Sequence, residues 1–210
     1  MMKIKVITAF LTLFLLGNLH AQEVEQTNET SVYVKGNALL IPIGIVNLAL
    51  EHQLTKKITV QGDVLISPWK SFAGHELQYY SVSAEGRYYF NEAFKHWYVG
   101  ANIAASSFVL QKWNYWSDGP YYNDFEEVFV TSNLYQKGYS LIVGVTLGYQ
   151  FKVSDRWNID LYGTVGTSQD FYKGYDRTTG ERYDRKDNKF NRSGEVLPYR
   201  GGVMISYKLK

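Results

Sequence analysis

Most protein chemistry is built from histidine, cysteine and paired acids, and this chain uses them sparingly. It has no cysteine, which removes disulfides, thiolate zinc sites and cysteine nucleophiles together. Beyond residue 21 the histidines are His52, His75 and His96. A lipid hydrolase or acyltransferase would rely on His and Ser with a supporting acid, and only His75, beside Glu76 and near Ser71, falls in a connection expected on the outer side where such lipid is found, with no spacing signature behind it. Asp184 and Asp187 alternate as calcium-loop acids do, but the bases between and around them and the missing glycine at the turn position argue against such a loop. Neither a metal nor a cofactor is expected, and catalysis is the minor reading.

A different group of charges stands out by position. Lys35, Glu51, Asp63, Glu85, Arg87, Asp160 and Arg200 each fall on the polar face of a segment that otherwise alternates apolar and small residues. Glu51 and Glu85 are candidates for a carboxylate pair. With Arg87 and Arg200 on the same faces, mutual neutralisation in a salt-bridge network is the expected state.

Those faces belong to strands, because the alternation has period two. From Tyr139 to Phe151 one side carries Tyr139, Leu141, Val143, Val145, Leu147, Tyr149 and Phe151; the other carries Ser140, Gly144, Thr146, Gly148 and Gln150. The same reading predicts strands around 32–41, 46–51, 58–66, 77–90, 97–107, 157–165 and 197–209, the last with Leu197, Tyr199, Val203 and Ile205 on its apolar side. Eight is an even number and the smallest common count for a transmembrane barrel. Short turns follow Glu51, Phe90 and Phe151, and longer connections surround Pro68, Pro120 and Gly180. Pro42, Pro68 and Pro120 are expected in connections and Pro198 at a strand start, where a missing N–H does least harm. The predicted fold is therefore all-β, an eight-stranded antiparallel transmembrane β-barrel with short periplasmic turns and longer extracellular loops. A soluble barrel would instead carry charge on its outer face. Here the polar face is small and mostly uncharged, and aromatics such as Tyr88, Phe90, Trp97, Phe151 and Trp157 gather at strand ends, where membrane interfaces place them.

The N-terminus agrees with export. Lys3 and Lys5 precede an apolar run from Val6 to Leu16, then Leu19-His20-Ala21 and polar Gln22-Glu23, the layout of a signal peptide over residues 1–21. Residues 22–31 are expected to form a short periplasmic segment and 32–210 the barrel. Apart from Lys3 and Lys5, acids and bases are equal in number, and nothing suggests a nucleic-acid-binding surface.

The run Asn47 to Glu51, Pro68-Trp69, Glu85-Gly86-Arg87-Tyr88-Tyr89, Trp97-Tyr98-Val99-Gly100, and Gly148-Tyr149-Gln150 followed by Ser154-Asp155-Arg156-Trp157-Asn158 resemble a domain-of-unknown-function family of outer-membrane barrels common in Bacteroidetes. That family is related to the membrane domain of outer-membrane protein A. The resemblance implies an outer-membrane barrel inserted by the barrel assembly machinery, and carries no activity. The chain departs from many such barrels at its end, Tyr207-Lys208-Leu209-Lys210, which lacks a terminal aromatic.

Within that frame Trp113, Tyr115, Trp116, Tyr121 and Tyr122, with Phe125 and Phe129, crowd one connection; flat rings there suit an extracellular sugar or protein ligand, or cap the barrel. The charged connection from Ser168 to Glu195 is expected to be solvated and to meet lipopolysaccharide phosphates. The expected role is structural or adhesive, in contact with outer-membrane lipid. The alternative is a narrow channel or a lipid A-modifying enzyme.

Overall fold

The computed structural model describes residues 30–184 and 189–210. The expected signal peptide and residues 22–29 of the segment after it lie outside these residues, as do Arg185, Lys186 and Asp187. In chain order the strands are β1 (Val32–Asn37), β2 (Val46–Gln53), β3 (Ile58–Phe72), β4 (His75–Tyr89), β5 (His96–Leu110), β6 (Pro120–Tyr122), β7 (Val128–Val130), β8 (Leu134–Lys152), β9 (Trp157–Asp176) and β10 (Asn191–Lys208). All but β6 and β7 close into an antiparallel barrel in the order β1-β10-β9-β8-β5-β4-β3-β2. β6 and β7 pair with each other above it. Among the described residues no helix is long and apolar enough to cross a membrane.

The pleat sorts side chains as the alternation demands. On β8, Val145 is 67% exposed while its neighbour Thr146 is 2% exposed. The end of the barrel that holds Thr30 and Lys210 is here called the base, and the opposite end the crown. At the base the strands join through tight turns, held by Thr55 Oγ1 accepting from the Ile58 N–H at 3.0 Å and by Ser154 Oγ accepting from the Trp157 N–H at 3.2 Å.

Several expectations change at the crown. β1 ends at Asn37, and Pro42 lies in a 3-10 turn, Ile41–Ile43. Pro68 is inside β3, opposite Gln78, so the expected long connection there is two residues, Ala73 and Gly74, both at positive φ as a type I′ hairpin requires. β9 and β10 absorb much of the connection expected from Ser168 to Glu195. Pro198 is within β10, beside a bulge where the register shifts between Pro198 and Arg200. One extra residue reverses the phase of the alternation. Tyr199 and Arg200 consequently both point inward, and Leu197, opposite Gly166, shares that side. The simple alternation had put Leu197 and Tyr199 outward. The Tyr199 hydroxyl donates to Asn102 Oδ1 across the lumen at 2.5 Å.

The base is plugged by rings. The turn between β4 and β5 folds under the barrel with Phe94 at φ 65°, 5% exposed, its ring 4.4 Å from that of Tyr33. Tyr89 and Tyr98 complete the cluster, each fully buried. Tyr98 fits because its ladder partner is Gly148; a Cβ there would overlap the Tyr98 ring. Gly148→Ala should therefore cost about 1–3 kcal/mol through overpacking. Gly86→Ala, which adds a methyl where nothing lies within 4 Å, should be neutral or gain up to about 1 kcal/mol. Urea midpoints of the two folded variants, measured under the same conditions, check the contrast.

Candidate functional site

The seven charges singled out above come from six strands and meet inside the barrel. Lys35 on β1 donates to Asp160 Oδ2 on β9 at 2.8 Å and pairs with Glu51 on β2. Arg87 on β4 donates to Glu51 at 3.1 Å, to Asp160 at 2.8 Å and to Glu85 at 2.5 Å. Arg200 on β10 reaches Asp63 on β3 at 2.7 Å and Glu85 at 2.8 Å. Glu85 thus joins two sub-clusters, the lower around Lys35 and Arg87 and the upper around Arg200. Pairing of this kind is required, since both side chains of every lower pair are fully buried.

Neutral donors satisfy the remaining carboxylate lone pairs. Thr59 and Tyr89 donate to Glu51 at 2.5 and 2.7 Å, Tyr98 to Asp160 at 2.8 Å, Ser83 to Asp63 at 2.6 Å and Thr146 to Glu85 at 2.8 Å. The Arg87 guanidinium also stacks 4.6 Å from the Tyr98 ring centre. Glu51 and Glu85 do not form a carboxylate pair, because Arg87 sits between them. The arrangement pairs each of these acids with a lysine or arginine.

The aromatic connection divides. Tyr115 and Tyr121 turn into a core of their own with Leu134, Phe129 and Tyr183, whereas Trp113, Trp116 and Tyr122 stay exposed. Its hub is Tyr183, 2% exposed, with ring centres of Tyr121 at 5.1 Å and Tyr115 at 6.2 Å. Burial first, and the Tyr115 neighbour next, push the Tyr183 hydroxyl pKa upward. Sequence reading missed Tyr183 because it sits in a stretch of charges with no periodicity. Beside this core, Asn123, Gln136, Asp184 and Asn191 help line a polar hollow of about 180 Å³.

The hydrolase candidates separate. His75 stacks on Trp116 at 4.4 Å and meets Gln111 Oε1 at 2.8 Å, while Glu76 is held by Arg177 at 2.6 Å. Asp184 binds Arg182 at 2.7 Å and the Gly174 N–H at 2.6 Å. Among the described residues no group of three or more His, Asp or Glu is gathered to hold a metal.

The fold and this interior define an all-β chain whose eight-stranded antiparallel ring encloses ion pairs. Over residues 7–209 it matches the family described as protein of unknown function, DUF3575, and it belongs to that family. No curated protein and no solved structure matches it.

Removing Arg87 would leave Glu51, Glu85 and Asp160 short of a shared cation. Arg87→Leu should lower stability by roughly 3–5 kcal/mol. Lys95→Leu, which breaks the exposed Lys95–Glu92 pair, should cost at most about 1 kcal/mol. Chemical-unfolding midpoints of the two variants test this, and equal midpoints would contradict an interior held by Arg87.

Proposed function

We propose that the chain is an outer-membrane β-barrel with a structural or adhesive role, sealed along its axis and displaying a ligand-binding crown. One observation carries the reading: the barrel is inside-out relative to a soluble protein. Many of its outward positions are apolar and open, Leu161 at 40%, Val143 at 62% and Val145 at 67% exposed, while Lys35, Glu51, Glu85, Arg87 and Asp160 are buried inside. Soluble monomers rarely expose contiguous apolar surface beyond a few hundred Å². Lipid is the solvent in which this surface is stable.

Aromatic rings border the apolar belt. Toward the base Trp97 packs against Tyr149 at 5.1 Å and Trp157 against Tyr207 at 4.8 Å; toward the crown Tyr139 packs against Phe171 at 5.1 Å. From Tyr139 to Tyr149 the rise, at the usual strand spacing and tilt, is roughly 25 Å, the height of the apolar band in such barrels. The resemblance to a family of outer-membrane barrels supports the same assignment. The base ring cluster and the Arg87 network favour a sealed tube over a channel. Exposed Trp113, Trp116 and Tyr122 on the crown are the surface offered to a sugar or protein, with lipopolysaccharide around the rim.

The expected result is recovery in the outer-membrane fraction, a mature N-terminus at Gln22, and faster migration on gels when unboiled. Recovery as a soluble periplasmic monomer would overturn the reading. Val145→Arg should destabilise the protein in bilayers by about 2–4 kcal/mol. Spin labels at Val143 and Val145 should respond to a lipid-soluble quencher and be shielded from a water-soluble one. Reconstituted protein should give no steady ion conductance.

A further inference from the structure

The barrel wall is not equally tall all round. β1 and β2 stop at Asn37 and Val46, whereas β9 and β10 on one side and β3 and β4 on the other continue toward the crown. Beyond Val203, whose carbonyl accepts from the Ala38 N–H at 2.8 Å, β10 keeps only β9 as a strand partner, and beyond Ile66 β3 keeps only β4. A gap in the wall therefore opens between the outer parts of β10 and β3. Its sill is the turn carrying exposed Leu39 and Ile41, fastened to β3 by Trp69 Nε1 donating to the Ile43 carbonyl at 2.9 Å.

Behind the gap is a chamber of about 470 Å³. Such a volume is in the range of small-molecule sites. Tyr199 and Ile142 lie toward the charge plug, Tyr79, Phe108 and Leu197 supply apolar wall, and Lys112 and Trp113 come from the crown connection. Asp170 is on the lining too. Ser168 and Ser193 donate to its two carboxylate oxygens at 2.5 and 3.1 Å, and Ser140 also donates to it. Among the described residues no base is within ion-pair distance of it. A carboxylate offers about four lone-pair positions, so three hydroxyls fix its orientation and leave one acceptor for something else. Glu195 adds a second acid to the lining, and Lys112, its one base, is occupied over the rings of Tyr115 and Tyr172 at 5.8 Å each.

We propose that this chamber binds a single-chain cationic amphiphile, an alkylamine or an amine-headed lipid, with its tail against Leu197, Ile142 and Phe108 and its ammonium on Asp170. Tyr79, Tyr172 and Tyr199 offer ring faces that suit an ammonium group. Anionic heads are disfavoured by Asp170 and Glu195. Tyr139 and Phe171, the outward neighbours of Ser140 and Asp170, place the gap at the level of the crown-side aromatic belt, so an amphiphile in the facing leaflet would enter sideways. Lateral entry rests on the membrane reading; binding in the chamber rests on the barrel alone.

The test titrates the full mature protein in lipid nanodiscs with octylammonium, octanoate and octanol by calorimetry, subtracting empty nanodiscs. Octylammonium should bind at least about tenfold tighter than octanoate, with octanol between them. Asp170→Asn should bring the two ions to within about threefold and leave octanol unchanged. Leu197→Trp, which fills the chamber, should weaken all three by about tenfold or more. Unboiled gel mobility reports folding of each variant, and Glu195→Gln, at an exposed position, should reduce the cation preference by itself. Octanoate matching octylammonium in the unaltered protein would overturn the proposal, as would an intact preference in folded Asp170→Asn or unchanged binding in folded Leu197→Trp. Absence of the preference in inserted, unaltered protein defeats the chamber and leaves the membrane reading standing, while failure to insert defeats the membrane reading.

Discussion

Closing eight strands into a ring leaves every side chain one of two places to go, and the inner place is too narrow for bulk water. Everything else in this molecule follows from that division. A charge turned inward must find a partner among the few residues at its own height, and a residue turned outward must suit whatever surrounds the ring. Arg87 is where the first demand is concentrated: one guanidinium touches acids from β2, β4 and β9, and so ties three strands that are far apart in the chain. Glu85 passes the link to Arg200 on β10, so the network crosses the lumen in two steps.

Such a network is weak evidence of stability, because its desolvation cost is large, but it is strong at fixing register. A one-residue slip of β4 would turn Arg87 and Glu85 to the outer face and bring Tyr88 and Gly86 inside. The ring cluster at the base adds a steric condition. Phe94 reaches the lumen only because its turn adopts a positive φ, and Asn158 holds that turn by donating to the Phe94 carbonyl at 3.2 Å. Charge and ring packing therefore close the same half of the tube by independent means.

The ring, its strand count and the inward set of charges were legible because each depends on a period of two that survives in the sequence, most clearly from Tyr139 to Phe151. What was illegible has a common cause. The bulge at Tyr199 breaks the period with no local marker beyond Pro198, so Leu197 and Tyr199 were placed on the wrong face. β9 beyond Val165 carries Ser168, Asp170 and Lys173 amid glycines, and such a polar strand cannot be told from a loop by hydrophobicity. Tyr183 becomes central only when β6, β7 and the β9–β10 connection meet in space. The aromatic connection could be recognised as a cluster, but which rings were buried was a matter of tertiary packing.

The halves of the tube thus obey different rules. Near the base all eight strands are present, each inward carboxylate has a base, and the interior is filled. Toward the crown two strands are missing, the walls are richer in serine and tyrosine, and Asp170 has hydroxyls where its counterparts below have arginine or lysine. A carboxylate in a fully closed ring would need a cation from the protein itself. Where the wall stands open that cation can come from outside, and the uneven strand lengths make this the one level of the tube at which an unpaired inward acid is physically tolerable.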